Sequence, residues 1–232
     1  MTTIKHKEIQ TVDDLFDFLK HETQSKTKAV YRGVKSIDYK LVPSIGRHKT
    51  NNQRGFNTKR EILLLNTFRE KAYPFMENKG HSTLELLALA QHHGLPTRLL
   101  DWTKNPLVAF YFAVEDSWLD ERQMKPSAIY VWRKSLKGEI VPTFEPFELT
   151  EVRLFLPVHL TNRIISQSGI FTVHPNPYEP FESKEIEVVQ IHPDVRRQLK
   201  KALFQLGIHS SALFPDLDGV ARHIKWLKTD IF

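Results

Sequence analysis

The sequence predicts an α+β fold: one compact domain over residues 1–232, with a small mixed or antiparallel sheet and flanking helices. Hydrophobic residues make up 41% of the 232 residues, which is enough apolar mass for a core. Short β-type segments follow helical ones without the regular alternation that a βαβ fold requires. No stretch rich in proline, glycine or serine separates one part of the chain from another, so a second domain is not expected.

Helices are predicted where apolar residues recur every three or four positions between capping and stop signals. The clearest signal is Ser82-Thr-Leu-Glu85, a capping box that begins a helix ended by Gly94 and Pro96. Together these patterns predict one helix from residue 11 and others at 59–72, 84–93, 107–115, 161–168, 193–206 and 219–227. Branched and aromatic residues predict strands at 29–33, 128–132, 170–173 and 186–191.

The composition excludes several classes of protein. There is no cysteine, which excludes disulfide frameworks, thiolate metal sites and cysteine nucleophiles. Residues 1–7 lack the apolar core of a secretory signal, and the longest apolar run, at 107–114, is far shorter than the roughly 20 residues of a membrane helix. P-loop, GxGxxG, HExxH and GxSxG motifs are absent. We therefore expect a soluble, cytoplasmic protein with no membrane contact.

The net charge of +6 is unevenly distributed. Residues 1–60 contain 13 Lys and Arg against 6 Asp and Glu, whereas the rest of the chain is nearly neutral. A polar loop at 46–60 carries the basic residues Arg47, Lys49, Arg54, Lys59 and Arg60. These side chains predict either contact with a polyanion such as nucleic acid or a solvated surface without such a partner.

The motif Tyr31-Arg32-Gly33 ends a predicted strand. An arginine within an apolar strand is costly unless its guanidinium meets a carboxylate or a phosphate. Glycine allows another group to approach the backbone closely. The motif predicts either an anion clamp at the mouth of a cleft or a structural ion pair.

Polar side chains are concentrated at 91–105, between two apolar helices that can hold a site on the intervening loop. Arg98 and Asp101 can pair to shape a cleft or form a buried structural pair, and Asp101 is a candidate general base. The adjacent His92 and His93 cannot both face one ion from a helix, so no metal site is expected.

A third group of polar residues lies in the second half of the chain. Arg163 and Gln167 lie four positions apart and share a helix face before Gly169 turns the chain into a strand. Glutamine can hydrogen-bond a ribose or an amide but is a poor proton acceptor, and an ordinary helix end explains the pattern as well. Glu185 and Glu187 alternate along one strand, so both carboxylates lie on the same face.

The chain resembles the FRG domain family, which is named for its Phe/Tyr-Arg-Gly motif. The resemblance runs from about residue 31 to residue 225 and rests on four segments: Tyr31-Arg32-Gly33, the block at 94–113, Arg163 with Gln167-Ser-Gly-Ile-Phe171, and Leu213-Phe-Pro-Asp-Leu-Asp-Gly219. It implies a bacterial or phage protein in a setting of antiviral defence or toxin action.

A weaker resemblance is to arginine-type ADP-ribosyltransferases. It consists of Arg32 on an early strand, residues 99–103 before an apolar helix, and Glu185-Ile-Glu187 on a later strand. The chain departs from that pattern because Asp101-Trp-Thr103 replaces a Ser-Thr-Ser element and Gln167-Ser-Gly169 lacks the glutamate. The resemblance implies an ADP-ribosyltransferase-like fold and an NAD-dependent enzyme that modifies a macromolecule, either protein or nucleic acid.

The same resemblance implies roles for particular residues. Arg32 holds the pyrophosphate of NAD, and Glu187 stabilises the oxocarbenium-like transition state. The implied catalytic residues are Arg32, Asp101, Gln167 and Glu187. The implied NAD-binding residues are Tyr31, Arg32, Gly33, Thr97, Arg98, Trp102, Thr103, Tyr111 and Phe171.

Two other functions are left open by the sequence. The acid-free basic stretch at 47–60, with Phe56 available for stacking, fits an effector that binds or cleaves nucleic acid. The third hypothesis is a non-catalytic sensor or partner-binding module, in which the arginines and the aspartate only stabilise the fold.

Overall fold

The computed structural model describes residues 8–47, 57–76, 80–115, 125–133, 144–157 and 161–231. Within these ranges the chain has the α+β fold that the sequence predicts, with one seven-stranded mixed sheet and helices packed on it. Lys49, Arg54 and Phe56 of the basic loop lie outside the described residues. The prediction of a loop is wrong for Arg47, Lys59 and Arg60, which lie in helices at 44–47 and 58–72. In the part of the chain that is described, no helix is long and apolar enough to cross a membrane.

The sheet has the strand order β1-β7-β4-β2-β3-β6-β5. Only β1 and β7 are parallel, and the other neighbours are antiparallel. β1 and β5 were not predicted, because two or three residues are too few to show a period of two. The residue pattern also predicted a loop at 91–105, which is wrong for residues 99–103: they form the central strand β3, where the polar Asp101 interrupts the apolar run. The strands are β1 (Glu8–Ile9), β2 (Val30–Val34), β3 (Leu99–Thr103), β4 (Ser127–Trp132), β5 (Arg153–Phe155), β6 (Gly169–Val173) and β7 (Ile186–Ile191).

The predicted helices are confirmed, with ends shifted by one or two residues in most cases. They are α1 (Val12–Gln24), α2 (Ser44–Arg47), α3 (Thr58–Ala72), α4 (Thr83–His92), α5 (Pro106–Val114), α6 (Asn162–Ser166), α7 (Arg196–Gln205), α8 (Ser210–Leu213) and α9 (Leu217–Trp226). Capping boxes at Thr11 and Ser82 begin α1 and α4. The short α2 and α8 were not predicted.

Successive strand residues face opposite sides of the sheet, and this alternation separates the core into parts. On one side, α1, α5 and α7 cover residues such as Tyr31, Val131 and Val189, and α4 covers Leu99. The opposite side buries an aromatic cluster with Trp102 and Trp132. The sheet is therefore covered on both faces.

Gly33 explains how α5 lies so close to β2. A Cβ atom at position 33 would stand 1.9 Å from the carbonyl oxygen of Ala109 on α5, closer than any side chain can be placed. The close approach predicted for the Tyr-Arg-Gly motif is thus made by a helix of the same chain. The motif's glycine fixes the position of α5 against the strand that carries Arg32.

Candidate functional site

The candidate site is an opening in the sheet between β2 and β3. β2 pairs with β4 through all five of its residues and β3 pairs with β6 through all five of its own, but β2 and β3 share only the pair Tyr31 with Thr103. Next to that pair lies a cavity of about 240 Å³, here named the β2–β3 cleft. The predicted site residues that line it are Tyr31, Arg32, Gly33, Asp101, Trp102, Thr103, Gln167 and Phe171.

Arg32 and Asp101 join the two strands across the cleft. The Nη1 atom of Arg32 donates to the Asp101 backbone oxygen at 2.6 Å and lies 2.6 Å from Oδ2 of its carboxylate. By alternation, Arg32 shares its face of the sheet with Val30, whereas Asp101 shares the opposite face with Leu99. The ion pair therefore spans the sheet where regular pairing between the strands ends.

The Asp101 carboxylate is held in its charged form. Loss of surrounding water acts to raise the pKa of Asp101, but the charge of Arg32, hydrogen bonds to the carboxylate and the charge of Arg47 together outweigh it, so the pKa is lower than usual. A general base works best with a pKa near the working pH. Asp101 is thus suited to bind hydroxyl groups or to stabilise positive charge, and poorly suited to the role of general base.

Two further arginines, Arg47 and Arg163, interact electrostatically with Asp101 without lining the cleft. Arg47 donates from Nε to the Val42 carbonyl at 2.7 Å. Loss of water lowers the pKa of Arg47, and the charge of Arg32 lowers it further, while Asp101 acts in the opposite direction. Loss of water also lowers the pKa of Arg163, and Asp101 again opposes the change. Because arginine stays protonated at neutral pH, three guanidinium groups share the field of the Asp101 carboxylate.

Gln91 positions the outer oxygen of Asp101. Its Nε2 atom lies 3.3 Å from Asp101 Oδ1, and its Oε1 atom accepts a hydrogen bond from the Thr97 hydroxyl. Thr97 is buried and its backbone N–H donates to the Ser44 hydroxyl at 3.0 Å. Thr97, predicted to bind NAD, therefore acts on the cleft through Gln91. Gln91 was not among the predicted site residues, although its place in the last turn of α4 indicated it.

Gln167 is hydrogen-bonded to β3 and to α8. Its carbonyl accepts from the Thr103 hydroxyl at 2.7 Å, and its side-chain Nε2 donates to the Leu213 carbonyl at 3.1 Å. Ser168 follows with a φ of 48°, a left-handed conformation that turns the chain into β6. The catalytic role of Gln167 stays a prediction, and its hydrogen bonds give it the role of holding α6 against β3.

Arg98 does not lie in the cleft. It is 1% exposed, forms a double hydrogen bond with the buried Glu61 at 3.0 and 2.7 Å, and donates to the carbonyls of Pro146 and His174. The arginine therefore has the structural role that was the alternative interpretation, but its partner is Glu61 and not Asp101. The position of Glu61 on the apolar face of α3, four residues before Leu65, was the signal for such a partner.

Other predicted ligand residues belong to the core. The Trp102 indole is 3% exposed and donates from Nε1 to the Thr172 hydroxyl at 3.0 Å, on the face of the sheet that carries Trp132. The Tyr31 hydroxyl donates to Glu22 on α1. Tyr111 lines a different cavity, and Phe171 is 6% exposed with its ring stacked on Phe155. Tyr31, Trp102 and Phe171 therefore line the cleft as nearly buried core rings, whereas Tyr111 does not line it.

Glu187 lies away from the cleft. It is on β7 opposite Val131 of β4, and β4 separates it from β2. Its carboxylate lies 3.5 Å from Nε of Arg133, which also binds Glu22. Within the described residues, no group of three or more side chains could hold a metal ion. Of the acidic residues that the structure describes, Asp101 is the one that lines the cleft.

Comparison with known proteins gives one match. A search of curated proteins and a search of solved structures both found nothing similar to this chain. None of the comparisons supports the resemblance to ADP-ribosyltransferases. The family model for the FRG domain matches residues 27–122, a shorter segment than the resemblance predicted, and the match contains both Arg32 and Asp101. Through residues 27–122, the comparison therefore supports the FRG family for this chain.

Proposed function

We propose that the β2–β3 cleft binds a phosphate-bearing nucleotide, with NAD as the candidate, and that the protein transfers ADP-ribose to a macromolecule. The observation that carries the proposal is the Arg32–Asp101 pair at 2.6 Å, set where two strands of the sheet stop pairing. Such a gap gives a ligand access to groups that a continuous sheet would cover.

The charges around the cleft favour an anionic ligand. Arg32 contacts the Asp101 carboxylate, while Arg47 and Arg163 interact with it electrostatically, and guanidinium groups bind phosphate oxygens through paired hydrogen bonds. The cleft measures about 240 Å³, which is smaller than the about 300–1,000 Å³ typical of small-molecule sites. The volume of the cleft is therefore suited to one end of a dinucleotide, and the rest of the dinucleotide would lie on the protein surface at the mouth of the cleft.

In this proposal Asp101 stabilises the transition state electrostatically. The bond between nicotinamide and C1′ of the ribose breaks, and nicotinamide leaves with the electron pair. Positive charge develops on the ribose, and a preorganised carboxylate lowers its energy. A nucleophile of the acceptor then bonds to C1′ and releases its proton to water. The low pKa of Asp101 keeps the carboxylate charged for this role.

Asp101 takes the place that the resemblance assigned to Glu187. With β4 between Glu187 and β2, that carboxylate is not beside Arg32. A catalytic role for Glu187 stays a prediction that would require a second site on the sheet. The acceptor is a protein or a nucleic acid, and Lys59 and Arg60 at the start of α3 are exposed basic residues.

Release of nicotinamide from NAD tests the proposal. We expect release by the wild type, with a loss of at least about tenfold in Asp101→Asn and Arg32→Gln. Arg69→Gln, which changes an exposed arginine on α3, is the matched control and should keep full activity. Circular dichroism verifies that the variants are folded. A wild-type protein that neither binds nor consumes NAD, with or without protein and nucleic-acid acceptors, would refute the proposal.

A further inference from the structure

A second and larger cavity lies between the end of α5, helix α7 and helix α9. Its volume is about 470 Å³, within the about 300–1,000 Å³ of typical small-molecule sites. Of the residues predicted for NAD binding, it contains only Tyr111. The cavity is thus distinct from the β2–β3 cleft and has no role in the function proposed above.

Positive charge dominates this cavity. Among the residues that the structure describes, Lys200, Arg222 and Lys225 line it together with one carboxylate, that of Glu115. That carboxylate already lies 3.2 Å from Lys35 Nζ and 3.7 Å from Arg222 Nη1, so its charge is shared between two cations. Lys200 is only 8% exposed and donates to the Glu115 backbone carbonyl at 2.8 Å. A buried ammonium group in a net positive cavity favours an anionic ligand.

One wall of the cavity is aromatic. Phe204 and Trp226 meet edge to face at 5.4 Å, and Ile208 and His209 extend the same wall. Loss of water lowers the pKa of His209, so its ring is neutral at pH 7 and adds apolar surface and no charge. Flat rings stack favourably on such a wall. The cavity therefore combines a surface for a planar ring with cations for an anionic group.

We propose that this second cavity binds a nucleoside monophosphate, with the base against Phe204 and Trp226 and the phosphate between Arg222 and Lys225. The inference stands independently of NAD binding in the β2–β3 cleft. The ammonium group of Lys200, over the Trp226 ring at 5.2 Å, holds one side of the aromatic wall in place.

Calorimetric titration with AMP, UMP and adenosine tests this proposal on the whole protein. We expect saturable binding of a monophosphate. Adenosine should bind at least about tenfold more weakly, because it lacks the phosphate that contacts Arg222 and Lys225. A tenfold loss of affinity corresponds to about 1.4 kcal/mol. Lys225→Gln and Arg222→Gln should each weaken binding by about tenfold. Lys201→Gln is the matched control, because Lys201 is exposed, follows Lys200 in α7 and does not line the cavity.

The Arg32→Gln variant distinguishes the two cavities. If the second cavity is the site, Arg32→Gln leaves the affinity for AMP unchanged while Lys225→Gln lowers it. The opposite pattern would assign AMP to the β2–β3 cleft and overturn the inference. Equal affinities for AMP and adenosine, or no saturable binding of AMP or UMP at millimolar concentration, would also overturn it. Lys225 is exposed, so Lys225→Gln should fold normally, and a loss of AMP affinity in this variant can then be assigned to the second cavity.

Discussion

Arg32 and Asp101 meet from opposite faces of the sheet, with Nη1 of the arginine 2.6 Å from both the carboxylate and the backbone oxygen of the aspartate. This contact depends on the single-residue pairing of β2 with β3. A longer ladder would fill the gap that the guanidinium now occupies. The pair thus connects the strand topology to the chemistry of the cleft.

The first prediction concerns the pH dependence of NAD consumption. The pKa of Asp101 is lowered below its usual value of about 3.8, so the carboxylate is charged above that pH. It loses its negative charge only as the pH falls through the lowered pKa. We therefore expect no loss of activity from Asp101 between pH 7 and pH 5. Steady-state rates across this range, measured where the protein stays folded, check the expectation. An activity loss centred near pH 6 would identify a different group.

The second prediction separates Arg98 from Arg32. Replacing one partner of a buried ion pair leaves the other charge without compensation, which costs about 3–5 kcal/mol. Glu61→Gln and Arg98→Met should therefore lower the free energy of unfolding by about that amount in urea titrations. Arg32→Gln should cost less than about 1 kcal/mol, because its partner carboxylate is largely exposed. Similar losses at Arg32 and Arg98 would favour a purely structural role for both.

The third prediction concerns Gly33. A methyl group at this position would overlap the Ala109 carbonyl at 1.9 Å, so Gly33→Ala must displace α5 and should destabilise the fold by about 1–3 kcal/mol or more. Gly169→Ala is the control, because its nearest contact is Ile164 Cγ2 at 3.3 Å, which can move. Thermal unfolding measures both variants. A Gly33→Ala protein as stable as the wild type would show that α5 does not need this close approach.

The fourth prediction concerns His174, which is 2% exposed and shares a hydrogen bond of 2.8 Å with Thr172. Burial, followed by the charge of Arg98, lowers the pKa of His174 from 6.5 to about 4. The unfolded chain therefore takes up a proton before the folded one, and stability falls as the pH drops from 6.5 toward 4. The expected loss from this group is about 2 kcal/mol between pH 7 and pH 5.

Urea unfolding of wild type and His174→Gln at the two pH values isolates this effect. His92, His209 and His223 also have lowered pKa values, and they contribute in the same direction to both proteins. The variant should therefore show a smaller loss between pH 7 and pH 5. An identical loss in both proteins would exclude His174 as the source.

Local signals predicted most of the helices and the strands β2, β4, β6 and β7, but not the central strand β3. The capping box at Ser82 and the proline at the start of α5 act within one turn, and the structure has both. The pairing of strands depends on contacts between distant residues, and so does the opening between β2 and β3. No pattern in the sequence indicates that Tyr31 and Thr103 are the only pair between these strands.

The same distinction applies to the site. Arg32 and Asp101 were both predicted as site residues, but Asp101 was paired with Arg98 by proximity in the sequence. The structure exchanges the partners, because β3 directs Asp101 to the cleft and the α3 residue Glu61 reaches Arg98. Likewise, the position of Glu187 depends on β4 lying between β7 and β2, which no motif indicates.

A crystal structure of the protein soaked with NAD tests the central claim most directly. The account predicts the pyrophosphate between β2 and β3, with an oxygen within about 3 Å of the Arg32 guanidinium, and the nicotinamide ribose beside Asp101. In Arg32→Gln crystals the same density should be lost. NAD bound elsewhere, or a cleft that stays closed to NAD while the Arg32–Asp101 contact is intact, would contradict the account.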